Sequence, residues 1–270
     1  MQDLKVTLIQ ADLSWEDRDR NLDVFTSKIK AIDEETDLIV LPEMFTTGFA
    51  MEPHKLAEPM GCKSMRWMHK MASGKGCVVT GSIIIKEDEK FYNRLIWMRP
   101  DGSHESVDKK HLFTFAGENK HYSPGNKKLI VELKGWKIMP LICYDLRFPV
   151  WSRNRYDAEK GFDYDCMINT ANWPEKRSHV WRILLMARAL ENQSYVVGIN
   201  RIGTDGNNIS YSGDSAVISP KGENLSNIPP LKEHTETVLM SKSELDRFRD
   251  NFRPWADWDD FEIKQRPVPA

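Results

Sequence analysis

Short apolar runs of strand length, interleaved with stretches of helical periodicity, constrain this chain more than any other feature. Residues 4–10, 37–41, 137–143, 164–169 and 195–199 are apolar runs of strand length. Residues 77–85 and 91–99 read as a hairpin around the charged turn 87–90, and further strands fall near 103–107, 128–133, 213–218 and 235–240. Residues 17–35 predict a helix with Leu22, Phe25, Ile29 and Ile32 on one face, and 63–71, 180–193 and 242–251 predict three more. Ser178 is a candidate cap for the third. Helices and paired strands mixed in this way predict an α/β fold with two sheets. No linker or internal repeat divides the chain, so one domain is expected over 1–270.

Composition narrows the function classes. Thirty-eight Lys and Arg against 40 Asp and Glu leave a net charge of −2, which implies no general affinity for nucleic acid or an anionic membrane. No apolar stretch approaches the roughly 20 residues of a membrane span. Cys62, Cys77, Cys143 and Cys166 are widely spaced, with no C-x-x-C pair, so neither a disulfide framework nor a zinc site is expected. His111 and His121 lack a third ligand at metal spacing, and Gly74-Lys-Gly76 precedes a strand instead of following one. No metal or cofactor is therefore expected. Met1 leads directly into the first strand without a leader-like segment, and a cytoplasmic protein is expected.

Three ionisable residues stand in unusual company. Cys143 closes the run Trp136-Lys-Ile-Met-Pro-Leu-Ile, and Pro149 six residues on suits the first turn of a helix. An isolated Cys is more often a small buried hydrophobe. A thiol between a strand end and a helix start, however, sits where backbone N–H groups converge and negative charge is favoured. Glu43 has Leu41, Met44 and Phe45 as neighbours, not the polar company of a surface carboxylate, which suits a general base that must later return its proton. Lys109 and Lys110 run directly into Leu112, Phe113 and Phe115, so at least one amine is expected to point inward.

Leu-Pro-Glu43, Lys109-x-His-Leu-Phe and Cys143-Tyr-Asp-x-Arg-Phe-Pro, in this order, resemble the nitrilase superfamily of carbon–nitrogen hydrolases. Ala171-Asn-Trp-Pro174, Ala187-Arg-Ala-Leu-Glu-Asn192 and Asn200-Arg-Ile-Gly-Thr-Asp205 fit as well, and the resemblance runs from Val6 to about Gly222. It implies a four-layer α–β–β–α sandwich, usually paired into a homodimer. It also implies a Glu–Lys–Cys triad of Glu43, Lys109 and Cys143, with Glu118 as a second glutamate. In that chemistry Cys143 attacks an amide carbonyl, Lys109 and the backbone N–H of Tyr144 hold the oxyanion, and a thioester is hydrolysed by water that Glu43 activates.

The stretch from Asp108 to Tyr122 looks most like the ω-amidase branch, whose substrates are small dicarboxylic monoamides such as 2-oxoglutaramate and 2-oxosuccinamate. Their far carboxylate needs a cation. Arg147, Arg177 and Arg201 are the arginines near the motifs; Arg177 or Arg147 is expected to bind it, with Phe115 and Trp173 walling a short pocket. The alternatives are an N-carbamoyl amine or amino-acid amidohydrolase, a nitrilase, and a papain-like Cys–His pair using His111 or His179. An inactive scaffold is the alternative of another class. Residues 252–270 carry Trp255, Trp258 and Phe261, too much aromatic surface for a solvated tail, so packing on the body or across a dimer contact is expected.

Overall fold

The computed structural model describes residues 2–264. Two sheets carry the fold. The first has six strands, in the order His234–Met240, Leu4–Gln10, Leu38–Val40, Val78–Glu87, Lys90–Met98 and His104–Asp108. The second has five: Ala216–Ile218, Tyr195–Asn200, Cys166–Ala171, Trp136–Ile142 and Val131–Leu133. Each has a parallel centre of three strands flanked by antiparallel ones.

Alternation along these strands divides the core into three layers. Leu4, Val6, Leu8, Val40 and Trp97 of the first sheet meet Trp136, Ile138, Ile168 and Val197 of the second, forming the apolar seam between sheets. Ile9, Ile39, Val79 and Ile96 point the other way, onto Phe25 and Ile29 of helix Arg18–Lys30 and Met65 and Met68 of helix Lys63–Lys75. On the far side of the second sheet, Met139, Met167 and Val196 pack on Trp181 and Leu185 of helix Ser178–Asn192. The order helix, sheet, sheet, helix is the expected four-layer sandwich. Pro140 sits within a strand that is central elsewhere, yet Val131–Leu133 pairs only as far as Ile138. Beyond that point the strand has a free edge, so the missing N–H disrupts no ladder on that side.

Several boundaries differ from the sequence reading. The first helix stops at Lys30, capped by Asp17, whose carboxylate accepts from the Arg20 N–H at 3.1 Å. Ser178 is the first residue of its helix and not its cap: a 3-10 turn, Glu175–Arg177, leads straight in. Two small hairpins were not anticipated, Tyr156–Asp157 with Gly161–Phe162, and Ile202–Thr204 with Ser210–Ser212. The tail packs on the first of them. Trp255 lies 4.0 Å from the Tyr156 ring, Trp258 lies beneath the Arg153 guanidinium at 4.1 Å, and Phe261 faces that of Arg155 at 4.6 Å. The end of the expected tail, 265–270, lies outside the described residues.

Candidate active site

The carboxyl ends of the parallel strands in both sheets point to one place, where an open α/β sheet offers loops and unpaired backbone groups to a ligand. Glu43 follows Leu38–Val40 in a tight turn that settles onto the neighbouring strand. Leu41 N–H donates to Thr80 O, Met44 N–H to Ser82 Oγ and Phe45 N–H to Ser82 O, at 2.8, 2.8 and 3.1 Å. That seat requires Gly81, because a Cβ there would lie 2.9 Å from Leu41 Cβ and 3.0 Å from the Phe45 ring. The turn directs Glu43 inward, fully buried.

Lys109 follows His104–Asp108, and pleating sends Asp108 and Lys109 to opposite sides. Asp108 takes a two-point bond from Arg94, at 2.6 and 3.0 Å, whereas Lys109 turns in. The Lys109 backbone is held on both edges: its N–H donates to Asn93 O at 2.9 Å, and its C=O accepts from the Gly125 N–H at 2.8 Å. Cys143 ends Trp136–Ile142 and opens the 3-10 turn Cys143–Arg147 with φ of 45°. A side chain in the left-handed region costs on the order of 1 kcal/mol, strain typical of a nucleophile placed on a sharp elbow. The Tyr144 N–H lies in the first turn of that helix, where donors have no intrahelical partner.

Asp145 ties the elbow to the lysine segment. Its carboxylate accepts from the Ile142 N–H at 3.3 Å, the His111 N–H at 2.8 Å and His111 Nδ1 at 2.8 Å. A carboxylate can only accept, so Nδ1 carries the proton. The His111 ring also stacks on Phe148, with centroids 3.7 Å apart. Asp145, 34 residues on, thus orients the His111 ring. This pair braces two loops, whereas the group beside the Cys143 thiol is Glu43.

Lys109 Nζ donates to Glu43 Oε1 at 2.8 Å and to both oxygens of Glu118, at 3.0 and 2.9 Å. Glu43 Oε1 also accepts from Asn93 Nδ2 at 2.8 Å, and its Oε2 accepts from the Asn172 N–H at 2.9 Å. Glu118 accepts the Phe113 N–H. All three charged side chains are buried. Burial works to lower the Lys109 pKa, but Glu118 and Glu43 outweigh it and hold the ammonium above its ordinary value. Burial raises Glu118 despite the pull of Lys109, and the nearby Glu43 charge adds to the rise. The Cys143 thiol is pushed well above its usual range, first by burial and then by Glu43, against an opposing pull from Lys109. The thiol donates to Asn172 O at 3.9 Å, with the Glu43 carboxylate and the Lys109 ammonium acting on it from either side of the charge balance.

Cys143 and Lys109 open into a cavity of about 70 Å³ walled by Phe49, Phe113, Trp173 and Tyr211. Arg147 and Arg177 also line it. Arg147 lies over the Trp173 ring at 5.1 Å and Arg177 over Phe113 at 5.2 Å; neither has an ion-pair partner among the described residues. Arg201 is elsewhere, buried and bound to Asp12 at 2.6 Å. Phe115 does not wall the pocket. The turn Thr114–Ala116 rotates it outward to 85% exposure, and Phe113 occupies the expected place. Asn93, Asn172, Ile209 and Tyr211 were missed. Asn172 lay inside a motif already noted, whereas Asn93, next to Arg94 in the strand Lys90–Met98, carried no local signal.

Among the described residues no group of three His, Cys, Asp or Glu could hold a metal ion, and no helix is long and apolar enough to cross a membrane. The family model described as carbon-nitrogen hydrolase matches residues 5–250. The chain belongs to the carbon–nitrogen hydrolase family. It is 43% identical to Omega-amidase YafV of Escherichia coli K12 over 97% of this chain and 100% of that one. It is 32% identical to the 2-oxoglutaramate amidase of Bacillus subtilis, over 80% and 83% of the two chains. Among solved structures, it superposes with a TM-score of 0.95 on XC1258 from Xanthomonas campestris, a CN-hydrolase superfamily protein with an arsenic adduct in its active site. That match is 39% identical and covers 98% of this chain and 100% of the other. The resemblance and the sandwich fold read from the sequence are both borne out.

Proposed function

We propose that this carbon–nitrogen hydrolase is an ω-amidase, cleaving the terminal amide of 2-oxoglutaramate or 2-oxosuccinamate to a dicarboxylic 2-oxo acid and ammonia. The observation that carries the reading is one small apolar pocket holding the Cys143 thiol, the Lys109 ammonium and two guanidiniums that have no carboxylate partner among the described residues. A monoamide of a short diacid matches it, with amide at the sulfur and carboxylate at Arg147 or Arg177. The names of the relatives support the same substrate class. An N-carbamoyl polyamine would call for an acidic pocket instead.

Glu43 takes the thiol proton as sulfur attacks the amide carbon, and the oxyanion is held by Lys109 Nζ and the Tyr144 N–H. One such donor is worth roughly 3 kcal/mol of barrier. Glu43 then passes its proton to the departing nitrogen, the C–N bond breaks, and ammonia leaves a thioester on Cys143. Water, deprotonated by Glu43, attacks that thioester and releases the acid and the thiol. Glu118 keeps Lys109 charged and aimed, and its buried position suits orienting substrate or water.

Ammonia release from 2-oxoglutaramate, N-carbamoylputrescine and a simple nitrile, beside the Cys143→Ala variant, tests this. The first substrate should be turned over preferentially and Cys143→Ala should lose at least about four orders of magnitude in kcat. Turnover of N-carbamoylputrescine alone would overturn the assignment. Full activity after stoichiometric alkylation of Cys143 would overturn the mechanism.

The reading extends to a single 1–270 domain acting as a homodimer in the cytoplasm. Ile183, Met186 and Leu190, at 62, 44 and 49% exposure, form an apolar stripe along one face of helix Ser178–Asn192, which supports a covered face. A free thiol nucleophile with three further unpaired cysteines suits a reducing compartment.

A further inference from the structure

Asn93 touches two members of the triad from behind. It lies in the strand Lys90–Met98, between Tyr92 and Arg94, and is fully buried. Pleating sends Arg94 toward Glu87 and Asp108, and Asn93 to the opposite side. There its backbone C=O accepts the Lys109 N–H at 2.9 Å, and its Nδ2 donates to Glu43 Oε1 at 2.8 Å. The described residues that wall the catalytic cavity do not include it.

Packing does not account for this amide. Asn93 Oδ1 is buried and has no hydrogen-bond partner among the described residues. A buried acceptor left unpaired destabilises a fold, and Leu has nearly the same shape with nothing to satisfy. Turned over, the amide would set Oδ1 against Glu43 Oε1, acceptor against acceptor. The one bond its side chain makes therefore serves the carboxylate.

Among the described residues, Glu43 Oε1 holds two donors, Asn93 Nδ2 and Lys109 Nζ, whereas Oε2 holds one, the Asn172 N–H at 2.9 Å. A carboxylate offers about four lone-pair sites, two on each oxygen, so Oε1 is filled and Oε2 keeps one. Asn172 also links Oε2 to the sulfur: the residue whose N–H holds Oε2 accepts the Cys143 thiol through its C=O at 3.9 Å.

We infer that Oε2 of Glu43 is the atom that receives the thiol proton, and that Asn93 is the positioning residue that reserves it by filling Oε1 together with Lys109. The inference rests on Glu43 being the base of the reaction proposed above. As sulfur bonds to the carbonyl carbon, the π pair moves to oxygen and the sulfur proton passes to Oε2. Without Asn93, Oε1 has an open site, the carboxylate is free to turn, and the proton has two competing destinations.

The test measures kcat and KM for one amide that the wild type hydrolyses, in Asn93→Leu and in Asn93→Asp, which keeps the shape without the donor. Any variant that melts cooperatively is read. In each, kcat should fall about 10- to 100-fold, KM should stay within about threefold, and the loss should persist across the pH range of activity. Alkylation of Cys143 by iodoacetamide, which needs no amide, should slow about tenfold at neutral pH in the same variants. A kcat within about threefold of wild type, or a rise in KM alone, overturns the inference. So does a loss recovered in full at higher pH, since Asn93 would then set only the protonation of the carboxylate. Failure of the wild type on 2-oxoglutaramate would sink the substrate assignment separately, because the comparison holds for any amide that the wild type hydrolyses.

Discussion

Replacing Lys109 by Met removes the ammonium that bridges Glu43 and Glu118, and the consequences for stability can be worked from the geometry. The wild-type ammonium makes three contacts of 2.8 to 3.0 Å with two carboxylates, all buried. Without it two like charges share a site with little water. Breaking a buried ion pair from one side costs about 3–5 kcal/mol, a fall in Tm on the order of 10 °C for a chain of this length. The penalty must depend on pH. The Glu118 pKa is already raised in the folded protein by burial, so this group favours folding most below the ordinary carboxylate range and loses that contribution as pH rises through its folded value. Losing Lys109 removes the opposing pull and raises it further, so the variant pays most at alkaline pH. Lys109 itself stays charged throughout, since its ammonium is held above its ordinary value. Calorimetry of wild type and Lys109→Met at pH 8 and pH 5 should show a Tm gap that narrows on acidification. An equal gap at both pH values, or none, would refute the reasoning.

Three further outcomes are expected. Gly125→Ala places a methyl group 2.3 Å from Asp108 O, so the strand carrying Lys109 must shift; stability should fall by about 1–3 kcal/mol and kcat should drop, measured by denaturation and ammonia release. Whichever of Arg147 and Arg177 binds the carboxylate, its Met variant should raise KM for the dicarboxylic monoamide roughly 10- to 100-fold, with little change for a neutral amide of similar length. Truncation after Phe252 removes the rings packed on Tyr156, Arg153 and Arg155 and should lower Tm or dissociate the proposed dimer, read by calorimetry and sedimentation.

Much of the fold was legible because fully buried strands and amphipathic helices carry their pattern locally. The runs ending near Leu41 and Ile142 needed no tertiary knowledge to read as strands. Glu43, Lys109 and Cys143 stood out for a related reason: an ionisable group among apolar neighbours is a local anomaly. Their meeting is not local, and it was the motif resemblance that joined them. What stayed hidden depends on direction within a loop. Phe113 and Phe115 are indistinguishable by composition, and only the 3-10 turn after Leu112 decides which faces the pocket. The Asp145–His111 brace spans 34 residues and follows no spacing rule. Ile209 reaches the pocket because Asp205 folds the hairpin under it, a relation visible only once both strands are paired.

The central claim is that an acyl group passes through the sulfur of Cys143. Rapid acid quenching during turnover of 2-oxoglutaramate, followed by peptide mass spectrometry, measures this directly. The account predicts the mass of the acyl fragment on the peptide containing Cys143, lost on treatment with hydroxylamine. Acylation of another residue, or steady turnover by Cys143→Ala at the wild-type rate, would contradict it.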